Sequence, residues 1–243
     1  MLVLATTAPG APEIFASLQG EGPSIGKPST FVRLSRCNLA CVWCDTAYTW
    51  RFTGDNRPHQ DGLAFDRAEN QVVLDEAEVA ARIAELAPSR LVVTGGEPLL
   101  QGPALARMLA LLPDMHVEIE TNGSVAPVPA LAAMVDQYNV SPKLKHSGNS
   151  VDIAQNPERL AAWRDEPKAW FKFVISTPQD VAEVRAIQQA HGIAPARIYL
   201  MPEGRESSAI LERLGWLADI CSEHGFNLTD RLHIHLYGDT RGT

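Results

Sequence analysis

Short runs of consecutive apolar residues alternate along the chain with longer stretches whose apolar positions recur at three- and four-residue spacing. The first pattern predicts strands buried on both faces, and the second predicts amphipathic helices. The strands expected are Thr30–Leu34, Arg90–Thr94, Met115–Glu120, Asn139–Ser141, Trp170–Ile175, Arg197–Met201 and Arg231–Leu236. Between them, Asp75 with Glu78 three residues later has the form of a capping box, and Val79, Ile83 and Leu86 follow on one face. Gly102-Pro103 opens a second helix through Leu112, and Pro127 and Pro129 precede a third. Pro157 begins a fourth, and Pro178 begins a fifth that Gly192 stops. A last helix, about Ser207–His224, carries Ile210, Leu214, Leu217, Ile220 and Cys221 on its apolar face. This alternation, without internal repeats, predicts an α/β fold with a mostly parallel sheet.

One stretch breaks the rhythm. Residues Trp50 to Asn70 are rich in Gly, Asp, Asn, Pro and Arg and show no periodicity. A loop of this length in a compact domain is usually functional or mobile.

The unusual polar residues gather after the expected strands. The first strand leads into a cysteine loop, the second into Gly95-Gly96-Glu97-Pro98, and the third into Thr121-Asn122-Gly123. The next leads into Pro142-Lys143, a later one into Pro202-Glu203-Gly204, and the last into Tyr237-Gly238. Taken singly, each is more often a turn than a site. In a parallel barrel, however, the C-terminal strand ends share one rim, where active sites of such folds lie.

Composition narrows the classes. The 243 residues include 21 Lys and Arg against 29 Asp and Glu, a net charge of −8, which argues against non-specific nucleic-acid binding. Apolar residues at 45% and charged ones at 21% allow a large core in a single domain, residues 1–243. The N-terminal MLVLATTAPG lacks the basic region of a signal peptide, and no stretch reaches the roughly 18 apolar residues of a membrane span. A cytoplasmic location without membrane contact is the expectation, and its reducing conditions keep thiols free to bind metal.

Of four cysteines, Cys37, Cys41 and Cys44 form C-x₃-C-x₂-C within eight residues, and Cys221 stands alone. Structural zinc takes four protein ligands, commonly as two separated pairs, and neither His59 nor Cys221 completes such a spacing. Ferredoxin clusters also use four cysteines, in other spacings. Three thiolates suit a four-iron cube with one iron left open to a substrate or cofactor. A zinc module and chance clustering of thiols remain the alternatives.

The loop, with Trp43 just before its last cysteine, resembles the hallmark of the radical S-adenosylmethionine (SAM) superfamily, and Gly-Gly-Glu-Pro resembles that superfamily's second motif. Within it the sequence looks similar to the 7-carboxy-7-deazaguanine synthase family. The segments that carry this likeness are Glu13 through Gly22, Phe31-Val32-Arg33-Leu34, Cys37 through Trp50, Thr94 through Leu99, Glu118 through Gly123, Val140 through Leu144, Leu232-His233, Tyr237-Gly238 and Arg241-Gly242.

The resemblance implies a partial, incomplete TIM-type barrel of about six to seven mostly parallel strands. It also implies a SAM- and Mg²⁺-dependent ring contraction of 6-carboxy-5,6,7,8-tetrahydropterin to 7-carboxy-7-deazaguanine, with ammonia released and SAM recycled. On its pattern Cys37, Cys41 and Cys44 hold a [4Fe-4S] cluster and Thr46 binds Mg²⁺. Trp43, Asp45, Gly96, Ser141, Pro142 and Lys143 line the SAM site. Leu18, Gln19 and Gly20 read the pterin edge, largely through backbone groups, and Arg33 offers a fork to the substrate carboxylate. Thr94 adds a hydroxyl, and Thr243 and His233 are weaker substrate candidates. An electron donor such as flavodoxin or ferredoxin and a homodimer follow from the same likeness.

Each assignment has a plainer counterpart. Arg33 pairs with an acid in the plain reading, Glu97 and Glu120 cap loops, Cys221 is a packed thiol, and His233 and His235 share one face of a strand. A rival within the chemistry is a radical SAM activating enzyme that makes a glycyl radical on a partner protein. The Leu-Gln-Gly-Glu-Gly segment and Thr46 favour a small carboxylated substrate instead.

Overall fold

The computed structural model describes residues 1–86 and 89–243. Among these, the strands are β1 (Leu2–Ala8), β2 (Ala11–Pro12), β3 (Ile14–Leu18), β4 (Pro28–Leu34), β5 (Gln71–Leu74) and β6 (Arg90–Gly95). They continue with β7 (His116–Thr121), β8 (Gln137–Val140), β9 (Ala169–Ile175), β10 (Ile198–Pro202) and β11 (Asn227–Leu228). The main path runs β11-β10-β9-β8-β7-β6-β4-β1-β2, with β3 paired to β4 and β5 to β1, so the sheet is open rather than a closed barrel. From β4 through β11 neighbouring strands on this path are parallel. That makes seven parallel strands, six of them expected from the sequence pattern and the seventh, β11, not, with an antiparallel edge of β1, β2, β3 and β5 that the pattern did not reveal.

One expected strand does not form, and one strand was not expected, each for an identifiable reason. Residues 231–236 form no strand: Leu232–Tyr237 is a short helix, with Gly238 N–H donating to the Ile234 carbonyl. The alternation of His233 and His235 with apolar neighbours therefore does not place them on one strand face. The run Leu2–Ala8 pairs through Leu2–Ala5 with β5, a pairing between residues about seventy positions apart that local pattern cannot show.

Helix ends follow local chemistry closely. Asp75 caps Glu76–Glu85 by accepting from Glu78 N–H at 2.7 Å, but the reciprocal half of a capping box is absent there. A full box forms at Thr177 and Asp180, at the head of Pro178–His191, which ends at Gly192 in the left-handed region. The helix opened by Gly102-Pro103 spans Gly102–Leu109, and its last residues tighten into three-residue turns through Leu112.

Alternation along the parallel strands separates two environments. Val32, Leu34, Leu91, Val93, Val117, Ile119, Phe171 and Phe173 are buried in the core cluster, which also holds apolar residues of the covering helices. The intervening positions, Phe31, Arg33, Thr94, Glu120, Lys172 and Val174, line a cavity. Both faces are buried, and polar function is confined to one of them.

Candidate active site

That cavity has a volume of about 410 Å³ and gathers all the sequence-predicted site residues but one. Cys37, Cys41, Cys44, Trp43, Asp45, Thr46, Gly96, Ser141, Lys143, Leu18, Gln19, Gly20, Arg33, Thr94 and Thr243 line it. Pro142 is buried behind the wall and does not.

The cysteine loop is held by its neighbours' backbone. Arg36 enters it with φ +78, its N–H donates to the Thr49 carbonyl, and its own carbonyl accepts from Glu97 N–H. Gly96 N–H donates to the Leu34 carbonyl at 3.0 Å. A Cβ at Gly95 would collide with Leu34 backbone, and one at Gly96 with the Arg36 carbonyl. The paired glycines thus let two strand-end loops pack backbone to backbone, a close approach only glycine permits. Glu97, wholly buried, caps the turn that follows by accepting from Leu99 N–H, and it also accepts from Thr121 Oγ1 and Asn122 N–H. Capping is its role here, and its carboxyl is pushed up by burial against those hydrogen bonds.

The three thiols sit in low-dielectric surroundings. Burial pushes Cys37 up to about 12 and Cys44 up to about 11, and raises Cys41 as well. Such thiols ionise only when a metal supplies the compensating positive charge. Each sulfur has one polar side chain beside it: Asn122 Nδ2 at 3.8 Å from Cys37, Asn149 Nδ2 at 3.2 Å from Cys41, and Thr46 Oγ1 at 3.6 Å from Cys44. The two candidates for a fourth zinc ligand are engaged elsewhere: Cys221 is packed in the core, and His59 Nε2 is hydrogen-bonded to the Cys44 carbonyl at 2.8 Å. A donor set of three thiols on one loop, lining an open cavity, instead fits a cluster with one thiolate to each of three irons.

Beside the loop, Trp43 stacks on His146 with ring centroids 5.5 Å apart, and Lys143 Nζ lies 5.7 Å from the same indole. Trp43 Nε1 is buried without a hydrogen-bond partner among the described residues. Lys143 Nζ donates to Ser141 Oγ at 2.8 Å.

The opposite wall is a charged network. Gln19, almost fully buried, donates from Nε2 to Glu118 Oε1 at 2.5 Å and Glu120 Oε1 at 3.3 Å, and Asn139 Nδ2 donates to the same two oxygens. The Gln19 side chain is thus committed to the two carboxylates. Lys172 Nζ bridges Glu21 Oε2 at 2.5 Å and Glu120 Oε2 at 2.7 Å. Burial alone raises both carboxyls. For Glu21, Lys172, Arg231 and His233 reverse this and hold it below the ordinary range, whereas Glu120, beside Glu21 and Glu118, stays raised. Arg33 Nε donates to the wholly buried Glu13 at 2.8 Å, and Tyr48 O–H donates to the same carboxylate. This buried pair replaces the surface acid of the plainer reading and leaves the Nη end of the Arg33 fork for a ligand. His233 lines the cavity behind Gly20, whereas His235 bonds to Ser207 and Asp230 instead. Cys221 is a packed core thiol.

Sequence reasoning missed Glu13, Tyr48, Lys172, Arg231, Asn122 and Asn149. A signal existed for Lys172, the lone charge in the apolar run AWFKFVI, and for Glu118 and Glu120 alternating with Val117 and Ile119. Polar residues at every second position of a doubly buried strand mark an inner polar face.

An open parallel α/β sheet with a three-cysteine loop at its C-terminal rim defines the class, and residues 32–192 match the model of the Radical SAM superfamily. The chain is 39% identical over 232 residues to 7-carboxy-7-deazaguanine synthase of Pyrobaculum aerophilum, covering 95% of each chain. It is 34% identical to the enzyme of the same name from Hyperthermus butylicus, covering 91% of this chain and 90% of that one. The crystal structure of QueE from Escherichia coli shares the fold, with a TM-score of 0.64 at 24% identity over 95% of both chains. This chain belongs to the 7-carboxy-7-deazaguanine synthase family of radical SAM enzymes.

Proposed function

We propose that the chain converts 6-carboxy-5,6,7,8-tetrahydropterin to 7-carboxy-7-deazaguanine with release of ammonia, using SAM, a [4Fe-4S] cluster and Mg²⁺, in 7-deazapurine biosynthesis of the queuosine type. The observation that carries this reading is the shared cavity. The cysteine loop, the Gln19–Glu120 pair and Arg33 all line it, which supports the reading of a polar-edged, carboxylated ring bound beside the cluster.

When bound, cluster and SAM supply a one-electron reduction that yields a radical able to take hydrogen from carbon. The chain's own residues do the rest. Cys37, Cys41 and Cys44 hold the cluster, and Gly96, Ser141 and Lys143, with Trp43, shape the SAM side. Asp45 and Thr46 line the same cavity, and the one Thr46 hydroxyl suits a Mg²⁺ ion that takes its remaining oxygens from water and substrate. Gln19 holds Glu118 and Glu120 in place beside the ring, Glu120 accepts from the ring edge, and Arg33 Nη groups bind the substrate carboxylate. Glu120 is ion-paired with Lys172, and Glu21 stays ionised on Lys172 and Arg231. Thr94, Leu18 and Gly20, with His233 and Thr243, complete the wall and exclude water.

The reading includes an external one-electron donor of flavodoxin or ferredoxin type and a homodimer, which light scattering on the purified protein checks. Its chemical test is anaerobic cluster reconstitution followed by incubation with SAM, reductant, Mg²⁺ and carboxytetrahydropterin. A carboxylated deazaguanine is expected. Formation of 5′-deoxyadenosine alone, with no ring-contracted product, removes the substrate assignment.

A further inference from the structure

The turn at residues 147–149 is fitted to the cysteine loop in a way the site's known parts do not require. Val42 N–H donates to the Ser147 carbonyl at 2.9 Å. Ala40 N–H donates to Asn149 Oδ1 at 2.8 Å, and Asn149 Nδ2 donates to Cys41 Sγ at 3.2 Å and Ser147 Oγ at 3.1 Å. Three consecutive residues of the turn thus embrace three consecutive residues of the loop. Gly148 makes the approach possible: its φ is +76, and a Cβ there would lie 2.8 Å from Val42 Cγ1.

The orientation of the Asn149 carboxamide is fixed by chemistry. A backbone N–H faces one end, so that end must be the oxygen, and the amino group must face the sulfur. Reducing a cluster by one electron adds negative charge that its thiolates share. A donor aimed at one of those sulfurs stabilises the reduced form more than the oxidised one. We propose that Asn149 is a positioning residue for the cluster, clasping the loop through Ala40 and raising the cluster's reduction potential through Cys41.

This rests on the cluster reading, and the two are separable by experiment. Asn149→Asp keeps an oxygen for Ala40 N–H but has no donor for sulfur, and Asn149→Ala removes both without adding charge. Iron and sulfide content, potentiometric titration by electron paramagnetic resonance, and hydrogen exchange of the Ala40 amide in metal-free protein supply the readouts. A loaded wild-type chain is expected. In both variants the ratio of reduced to oxidised cluster at a fixed potential should fall about tenfold, ~59 mV for a one-electron couple. Ala40 protection should persist in Asn149→Asp and be lost in Asn149→Ala. Midpoints unchanged in both variants overturn the tuning role, and protection unchanged in Asn149→Ala overturns the clasp. A wild-type chain that takes up no iron overturns the cluster reading and this inference together.

Discussion

Arg231, just before the C-terminal helix, ion-pairs with Asp45 of the cysteine loop across 186 positions of sequence. Its Nε also donates to Glu21 at 3.2 Å. One guanidinium therefore ties the segment that carries Glu21 and the loop that carries Asp45 to the base of the C-terminal helix. Arginine suits this place because its planar fork serves two carboxylates and keeps its charge when buried.

Removing that fork leaves Glu21 and Asp45 without their shared partner. Arg231→Gln should lower stability by roughly 3 kcal/mol, the scale for breaking a buried ion pair. Arg231→Lys should recover only part of the loss, since one ammonium cannot span both acids. Urea unfolding reads both, and an unchanged midpoint in Arg231→Gln would sink this account.

The same network sets an acid limit. The folded-state pKa of Glu21 lies below its usual value of 4.5, because its cationic neighbours outweigh the effect of burial. Its stabilisation is thus present above about pH 4.5 and is lost as pH falls below that value toward the depressed pKa. Glu21→Gln should flatten the fall in stability below pH 4.5, seen by urea midpoints across pH 3 to 6. A profile as steep as that of the unaltered chain would show that other carboxylates carry the acid limb.

Gly96→Ala sets a Cβ against the Arg36 carbonyl. Overpacking of this kind costs about 1–3 kcal/mol, and it falls on the loop that carries Cys37. The variant should bind less iron than the unaltered chain after identical reconstitution. Full iron content would mean that the two loops separate without cost.

Thr46→Ala should leave iron content intact and weaken Mg²⁺ activation roughly tenfold or more, the scale for damage to a metal site. A Mg²⁺ titration of product formation measures it. An unchanged half-saturation concentration would remove Thr46 from the cation site.

The parts of this protein legible in its sequence are those encoded locally. The cysteine spacing, the Gly95-Gly96 turn, the cap at Asp75 and the parallel strands each follow from a few adjacent residues. What stayed hidden depends on partners far away in the chain. Leu2–Ala8 becomes a strand by pairing with Gln71–Leu74, Glu13 matters because Arg33 and Tyr48 close on it, and Arg231 finds Asp45 only after folding. The helix at Leu232–Tyr237 was misjudged because, over six residues, alternation and helical spacing are hard to tell apart.

The most direct test of the central claim is the ratio of product to SAM over many turnovers of the reconstituted protein with carboxytetrahydropterin, Mg²⁺ and an excess of reductant. The account predicts 7-carboxy-7-deazaguanine and ammonia in equal amounts, exceeding the SAM supplied. One 5′-deoxyadenosine per turnover, or SAM cleavage without a deazaguanine product, would contradict it.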